Sequence, residues 1–282
     1  MLLHLFEYPW PAPQITERRS DQRLLRLPDQ TGRVIVRGTS GAAGSATFSA
    51  GPDTESLAAL ATEVAARREN RIYLIESMVE MTSSPNVQME IPGERGPIEC
   101  VGVTDQRWER SLVHGGNLFP STASGIAQMV SWARTLGEWL QSEGFAGLAG
   151  FDFVEYTDRS GMPGAFLAEI NPRVNGATYP LRLTRRLNAA QRAASRPEIA
   201  AFVSGTIETE AGSFAELMDS LDGLLFSPER GEGLVPYVTG CLPHGKCSMV
   251  ALAGSATEAF ELFDEAGASG LEADTVPALS NG

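Results

Sequence analysis

The chain has 282 residues, 43% of them hydrophobic and 20% charged, which suits a globular protein with a substantial buried core. Its formal net charge of −13 would repel a phosphate backbone and argues against a nucleic-acid partner. No apolar run reaches the ~18 residues that a membrane span needs, and the start of the chain lacks the basic lead of a secretion signal. Three cysteines are too few for a disulfide framework, so we expect a cytoplasmic protein with reduced thiols and no membrane partner.

The first clear element is a strand of β-branched residues, 34–36, which ends at Arg37 and leads into a loop rich in Gly, Ser and Thr. Residues 1–32 ahead of it form an N-terminal segment that no pattern assigns. Glycines let a backbone fold closely over an anion, and successive N–H groups in such a loop can cradle phosphates. The loop lacks both the P-loop ending and the dinucleotide fingerprint, so a plain flexible loop stays open as the alternative.

Asp53 is the predicted N-cap of a helix that extends to Arg68. The next predicted strand begins at Ile72 and has two acidic residues, Glu76 and Glu80, at its polar end. Taken singly, each of these acids is as well explained by an exposed strand end as by a binding role.

Strand-like runs follow at 86–91 and 98–103, and they lead to the polar residues Gln106 and His114. His114 has no Cys or His at metal-ligand spacing, which argues against a zinc site. Residues 122–143 then predict an amphipathic helix with a buried stripe. The stripe consists of Ile126, Met129, Val130, Ala133, Leu136 and Leu140.

The segment 147–176 contains two alternating runs around a polar turn, which is typical of a β-hairpin. A turn at Ser160 and Gly161 would place Asp152 directly opposite Glu169. Asn171, two residues further along, would point to the same face. The other face is apolar and is predicted to join the core through Phe151, Phe153, Phe166 and Ile170.

Two like charges opposite each other destabilise a strand pair unless a cation lies between them. Two carboxylates and an amide oxygen suit Mg²⁺, which completes its coordination with water and phosphate oxygens. Arg173 adds a fixed cation for phosphate or carboxylate oxygens. An ordinary exposed strand face explains a lone Asp/Glu pair better, but four residues that fit one geometry favour a metal and phosphate site.

The motifs Gly-x-x-Gly-x-Asp-Phe at 147–153 and Glu-Ile-Asn-Pro-Arg-x-x-Gly at 169–176 resemble the metal-binding hairpin of the ATP-grasp superfamily. Its members mostly join a carboxylate to an amine, thiol or other nucleophile through an acyl phosphate. The resemblance implies an α+β ATP-grasp fold, in which two α+β subdomains grip ATP. It also implies Mg²⁺, with Mn²⁺ as the alternative ion, on Asp152, Glu169 and Asn171.

The same resemblance implies the nucleotide contacts. Arg37 stands where the family usually has a phosphate-binding Lys, and the glycine-rich loop matches the mobile flap over the ATP phosphates. Glu76 would bind the adenine amino group, with the backbone at Met78 or Val79, and Glu80 would bind ribose. The flap residues are Gly38, Thr39, Ser40, Gly41, Gly44 and Ser45.

A predicted β-turn-β-α tail follows a Gly/Pro-rich boundary at 227–233. With Gln106 and the run 116–120, this tail resembles stand-alone peptide ligases of the pheganomycin-ligase type. The implied organisation is an ATP-grasp domain at 33–226, divided after residue 95, and a small C-terminal module at 231–282. The implied substrate contacts are Gln106, His114, Asn175, Gly176, His244 and Lys246.

The expected function is therefore an ATP-dependent carboxylate–amine ligase acting on amino acids or short peptides, with Arg173 and Arg37 as catalytic cations. Members of this subgroup normally carry a further N-terminal domain ahead of the flap. The resemblance then implies a partner chain or a second copy that supplies this domain, or a shortened protein with altered activity. Two alternatives stay open: a non-catalytic ATP-binding module that acts with a partner, and a ligase whose acceptor is a thiol or another nucleophile.

Overall fold

The computed structural model describes residues 14–17, 34–38, 47–51, 53–66, 72–93, 96–109, 113–158 and 161–268. The chain divides into two compact units, Met1–Glu80 and Met81–Gly282. The sequence analysis instead divides the ATP-grasp domain after residue 95. Both units combine a β-sheet with helices, which confirms the α+β class.

The first unit contains a four-stranded antiparallel sheet in the order β1-β4-β2-β3. Its elements are β1 Gln14–Glu17, β2 Val34–Gly38, β3 Thr47–Ala50, α1 Thr54–Ala66 and β4 Ile72–Ser77. Asp53 caps α1 as predicted, because its Oδ1 accepts the backbone N–H of Ser56 at 2.8 Å. The described core of this unit consists of Val34, Val36, Ala50 and Leu60.

The second unit is built on a nine-stranded sheet in the order β10-β9-β6-β7-β8-β11-β13-β12, with β5 also paired to β9. Antiparallel pairing suits strands that follow each other in the chain, such as the runs 147–157 and 163–171, because a short turn joins them. The strands are β5 Glu80–Ser83, β6 Pro85–Ile91, β7 Glu99–Glu109, β8 Val113–Phe119, β9 Gly147–Thr157, β10 Pro163–Asn171, β11 Ala201–Glu208, β12 Gly233–Tyr237 and β13 Lys246–Ala253.

Helices cover both faces of this sheet. They are α2 Ile126–Ser142, α3 Thr178–Ala193, α4 Phe214–Ser220 and α5 Ala256–Ala268. The α2 side buries Met89, Phe151 and Phe153 completely. On the other side α3 packs closely on β7, where a Cβ added to Gly102 would lie 2.8 Å from Leu181 Cδ2. Among the described residues, no helix is long and apolar enough to cross a membrane.

Two regions differ from the sequence-based expectation. The sequence analysis assigns no helix to 178–193, whose residues are mostly polar, yet α3 forms there and packs through Leu181 into an apolar cluster. The predicted C-terminal module is also part of the large sheet, because β13 pairs with β11 from Lys246 to Ala253 and β12 pairs with β13.

Helix α2 begins at Ile126 rather than at residue 122, because the buried carboxylates of Asp105 and Glu155 accept hydrogen bonds from residues 121–125. Glu155 of β9 accepts hydrogen bonds from the N–H and hydroxyl of Ser124, the N–H of Gly125 at 2.8 Å and the hydroxyl of Ser83. The N-cap residue of α2 is Gly125, which has no side chain that could accept these hydrogen bonds. A carboxylate on strand β9 therefore accepts the free backbone N–H groups at the N-terminus of α2.

We expect Glu155→Gln to destabilise the second unit by about 2 kcal/mol, since its amide group would turn a donor toward the N–H and O–H groups that Glu155 accepts. The unfolding midpoint should fall by roughly 4–8 °C in a thermal melt followed by circular dichroism. Glu216→Gln is the matched control, since Glu216 accepts one exposed backbone N–H and should cost far less.

The same substitution should change the pH dependence of stability. Burial raises the pKa of Glu155, but the hydrogen bonds from Ser124, Gly125 and Ser83 outweigh burial and leave the pKa below the ordinary value of 4.5. The stability from this lowered pKa is present above pH 4.5 and is lost as the pH falls through the folded-state value. Acid titrations should therefore show a steeper loss for the wild type than for the Gln variant, and parallel curves would contradict this assignment.

Candidate functional site

The β9–β10 hairpin brings the predicted carboxylates together. Glu169 pairs with Asp152 and Asn171 pairs with Gly150, the register that the predicted turn requires. Asn171 Nδ2 donates to Asp152 Oδ2 at 2.9 Å, and an Arg173 guanidinium N–H donates to Asn171 Oδ1 at 2.9 Å. The four predicted residues thus occupy one cluster on one face of the hairpin.

A β-bulge between Leu167 and Glu169 corrects one expectation about the hairpin. Nearer the turn the register shifts, so Phe166 pairs with Val154 and lies on the Asp152 face instead of the core face. Its ring packs on Tyr156 with the ring centroids 5.8 Å apart. Alternation alone cannot reveal an inserted residue, which is why the sequence analysis assigns Phe166 to the core.

The electrostatics of Asp152 favour a cation beside its carboxylate. Burial, followed by the nearby charge of Glu169, raises the pKa of Asp152 to about 6, although hydrogen bonds from Asn86 and Asn171 and the charge of Arg173 oppose the rise. The Glu169 side chain is exposed and, within the described part of the chain, forms no hydrogen bond or ion pair. Two opposed carboxylates in this setting would be stabilised by a divalent ion.

The residues present fit magnesium. Among the described residues, no group of three or more His, Cys, Asp or Glu side chains could hold a metal ion. The face instead offers two carboxylates and the Asn171 amide, a set of oxygen ligands that leaves room for water and substrate phosphates. This composition suits Mg²⁺ and does not suit zinc, which prefers nitrogen and sulfur ligands.

In the first unit, the predicted phosphate ligand and the predicted adenine ligand contact each other. The Arg37 Nε donates to Glu76 Oε2 at 2.8 Å, and a second guanidinium nitrogen bonds the same oxygen. The side chains are 27% and 14% exposed. Arg37 follows Ile35 on the same face of β2, and Ile35 pairs with Glu76, so the two side chains are diagonal neighbours.

We expect Arg37→Ala to weaken binding of a non-hydrolysable ATP analogue by at least about tenfold, because it removes a cation and leaves the Glu76 carboxylate without this partner. Arg37→Lys keeps the charge but cannot reproduce two donors in one plane, so a smaller loss is expected. Titration calorimetry with magnesium measures both variants. Equal affinity in Arg37→Ala and wild type would remove Arg37 from the nucleotide site.

The other predicted nucleotide contacts are only partly described. Gly38 ends β2, whereas the flap residues Thr39, Ser40, Gly41, Gly44 and Ser45 lie outside the described residues. Met78 and Val79 are half-buried between β4 and β5, and Glu80 is exposed at the start of β5.

Three of the predicted substrate contacts, Gln106, His114 and Gly176, lie around Asn117. A Cβ added to Gly176 would lie 3.2 Å from His114 Cε1 and 3.7 Å from Asn117 Nδ2. Burial lowers the pKa of His114, and its hydrogen bond with Asn117 opposes that shift. A bulge in β8 brings His114 to the same face as Asn117, and Gln106 pairs with Asn117 across β7 and β8.

Two other predicted substrate contacts lie several strands away from the β9–β10 hairpin. His244 ends an exposed 3₁₀ segment, Thr239–His244, and Lys246 begins β13. Four strands separate β13 from β9 in the sheet order. Lys246 instead lies 3.8 Å from the Glu208 carboxylate, and both side chains are exposed.

The sequence patterns did not identify the residues of the neighbouring strand β6 that hydrogen-bond to Asp152 and to each other. Asn86 of β6 pairs with Asp152 and donates its amide N–H to Oδ1, and Gln88 donates to Asn86 Oδ1 at 2.6 Å. Alternation in β6 is the available signal, since Asn86 and Gln88 are polar where Val87 and Met89 are apolar. That pattern predicts a polar face but not its partners.

No protein-family model matches the chain, and no curated protein matches it. Solved structures do match. N5-carboxyaminoimidazole ribonucleotide synthetase from Thermotoga maritima has a TM-score of 0.55 and 16% identity, over 93% of this chain and 68% of that one. Biotin carboxylase from Campylobacter jejuni, in an ATP complex, has a TM-score of 0.57 and 13% identity, over 84% of this chain and 57% of that one.

The biotin carboxylase domain of Hydrogenobacter thermophilus 2-oxoglutarate carboxylase, solved with MgADP and bicarbonate, has a TM-score of 0.54 and 13% identity, over 83% of this chain and 56% of that one. The chain spans 60% and 61% of the length of two further synthetases, both solved with ADP. These similar structures are ATP-grasp enzymes. With its mixed α+β architecture and large antiparallel sheet, the chain has the ATP-grasp fold.

Proposed function

We propose that the chain is an ATP-dependent ligase that joins a carboxylate to an amine through an acyl phosphate, with amino acids or short peptides as substrates. The observation that carries the proposal is the pairing of Asp152 with Glu169 beside Asn171 and Arg173. This group combines ligands for a divalent ion with a cation for a transferring phosphoryl group. On a strand face without function, two carboxylates opposite each other would only destabilise the strand pair.

Asp152, Glu169 and Asn171 are the residues that would hold Mg²⁺, with Mn²⁺ as the alternative. When bound, the ion would neutralise negative charge on the phosphate oxygens. Arg173 is exposed and, in the described part of the chain, forms no ion pair, so its guanidinium can bind an anion. Its bond to Asn171 fixes its direction beside the carboxylates.

The proposed reaction has two steps. A substrate carboxylate oxygen attacks the γ-phosphorus of ATP, the bond to the β–γ bridging oxygen breaks, and ADP leaves. Arg173 stabilises the charge on the acyl phosphate. The amine nitrogen then attacks the acyl carbon, phosphate leaves, and the nitrogen loses a proton as the amide forms.

Other residues take supporting roles in this proposal. Arg37 and the flap hold the ATP phosphates, Glu76 and the backbone near Met78 bind adenine, and Glu80 binds ribose. Gln106, His114, Asn175 and Gly176 contact the substrates, which is supported by the proximity of Gly176 to His114. We expect a cytoplasmic enzyme.

A second candidate is a non-catalytic ATP-binding module that acts with a partner protein. The observation that favours it is the Arg37–Glu76 ion pair, which joins two predicted nucleotide ligands to each other. In this candidate, nucleotide binding would exchange the ion pair for ligand contacts without phosphoryl transfer.

The test measures ADP and phosphate release from the purified chain with Mg-ATP, with and without a pool of amino acids and short peptides. Mass spectrometry of the same samples should detect a product lighter by one water than its two precursors combined. Release that requires both a carboxylate and an amine is the expected result. Tight Mg-ATP binding without substrate-dependent release, even with partner proteins added, would support the second candidate instead.

A further inference from the structure

Gln88 lies at the centre of a buried hydrogen-bond network behind the candidate metal site. Its side chain is fully buried on β6. Its Nε2 donates to Asn86 Oδ1 at 2.6 Å and to Asn175 Oδ1 at 2.8 Å, and its Oε1 accepts from Thr178 Oγ1 at 2.9 Å. Gln88 therefore bonds to both β6 and the segment that follows β10.

One arm of this network reaches Asp152. An amide that accepts through its oxygen must present its NH₂ group in the opposite direction. Because Gln88 donates to Asn86 Oδ1, the Asn86 NH₂ group faces Asp152 and donates to Oδ1. Asn171 donates to the other carboxylate oxygen. Gln88 thus sets the orientation of the group that holds the first oxygen.

The other arm fixes loop 172–177. Asn175 Oδ1 also accepts the N–H of Ala177 at 3.1 Å, and Thr178 Oγ1 accepts the N–H of Asn175 at 3.0 Å. This loop begins after the proposed ligand Asn171 and contains Arg173. The network therefore connects the same loop at two points, through Asn171 at one end and Asn175 at the other.

The absence of a side chain at Gly150 leaves the space in which the amides of Asn86, Gln88 and Asn175 approach one another. A Cβ added there would lie 2.2 Å from Asn175 Nδ2, 2.7 Å from Gln88 Nε2 and 3.1 Å from Asn86 Nδ2. No side chain fits at this position without displacing all three amides. The close approach of three amides from two segments, β6 and loop 172–177, indicates a specific arrangement rather than a general polar surface.

We propose that Gln88 is a positioning residue that couples cation binding at Asp152 to the order of loop 172–177. The inference rests on the proposed function in taking Asp152 as a metal ligand. A cation that fixes the Asp152 carboxylate fixes Asn86, and Gln88 transmits that constraint to Asn175. Without the Gln88 donors, cation binding at Asp152 no longer orders loop 172–177.

The test uses the purified full chain and Mn²⁺ as the probe. Gln88→Glu keeps the size and the acceptor for Thr178 but, when ionised, removes both donations, and Gln88→Met removes all three bonds. Gln191 provides the matched control because it is a buried glutamine whose Nε2 donates to two carbonyl oxygens, those of Pro197 and Pro228. Gln191→Glu and Gln191→Met change the same chemistry away from the site.

Two readouts separate positioning from general stability. Electron paramagnetic resonance measures Mn²⁺ affinity, and hydrogen exchange measures amide protection in 172–178 with and without Mn²⁺. The wild type and both Gln191 variants should bind Mn²⁺ and protect the loop. Both Gln88 variants should lose about tenfold or more in affinity, a typical effect of removing a partner behind a metal ligand, and they should lose the protection even when Mn²⁺ is saturating.

Thr178→Val provides a second variant if the Gln88 changes prevent folding, since at similar size it removes the bonds of Thr178 Oγ1 to Gln88 and to the Asn175 N–H. It should reduce the Mn²⁺-dependent protection of the loop. Wild-type affinity and wild-type loop protection in the Gln88 variants, or in Thr178→Val where those do not fold, would overturn the inference while the metal site stands. A wild-type chain that binds no Mn²⁺ would overturn both.

Discussion

Asp152→Asn should abolish substrate-dependent ADP release, with a fall of at least about a thousandfold, while the protein stays folded. The amide oxygen can still accept a hydrogen bond from Asn86, so the packing at this position is kept. It supplies no negative charge, however, and a divalent ion would be left with Glu169 as its only carboxylate on this face. The loss should appear in kcat, and added Mg²⁺ should restore little activity.

The same variant should remove the cost of the Asp152 charge to stability in the absence of metal. With a pKa raised to about 6, the ionised Asp152 costs free energy in the folded chain above that pH. Because the folded-state pKa exceeds the ordinary value of 3.8, stability is greatest below pH 3.8 for this group and falls as the pH rises through 6. Removal of this charge should contribute about 1–2 kcal/mol at pH 8 without metal, which offsets the donor–donor contact of the new NH₂ group with Asn171 Nδ2, so the melting temperature should not fall.

Thermal melts and phosphate-release assays on one preparation check both statements. Asp219→Asn is the matched control, since Asp219 is exposed on α4, and it should leave both quantities unchanged. Substantial turnover in Asp152→Asn would remove Asp152 from the metal site. A large loss of stability in that variant would show that the carboxylate is structural.

Arg173→Ala should lower kcat by about a hundredfold to a thousandfold with a smaller change in KM, because the charge on the acyl phosphate develops after the substrates bind. Arg173→Lys should recover part of the rate, since it keeps the charge but not the planar pair of donors. Stability should change little, because the side chain is exposed and its hydrogen bonds are to Asn171 Oδ1 and the Val174 carbonyl.

Steady-state phosphate release at saturating Mg-ATP measures this effect. Arg192→Ala is the matched control, because Arg192 is also exposed and its ion pair with Glu198 lies at the end of α3. The two variants should have similar melting temperatures and different rates. A rise in KM alone for Arg173→Ala would make Arg173 a ground-state binding residue and contradict its assigned role.

The hairpin could be predicted from the sequence because its determinants are local. Alternation and a polar turn indicate two paired strands, whereas the pairing of Glu169 with Asp152 also depends on a bulge. The bulge before Glu169 could not be predicted, because an inserted residue keeps the composition of the strand and changes only its pairing. Phe166 was therefore assigned to the wrong face.

Contacts between segments that are far apart in the chain could not be predicted from the sequence. Gln88 and Asn175 are hydrogen-bonded across 87 positions, and alternation can show that Gln88 is on a polar face without showing what it meets. The start of α2 is similar, since Glu155 reaches it from another strand. Helix α3 was missed because its few buried side chains lie on a narrow stripe among arginines and other polar residues.

The most direct measurement is a crystal structure of the chain with Mn²⁺ and a non-hydrolysable ATP analogue, with anomalous scattering recorded at the manganese edge. The account predicts an anomalous peak about 2.1 Å from oxygens of Asp152 and Glu169, with phosphate oxygens in the same coordination shell. A nucleotide bound without an ion at these residues, or an ion held elsewhere, would contradict it.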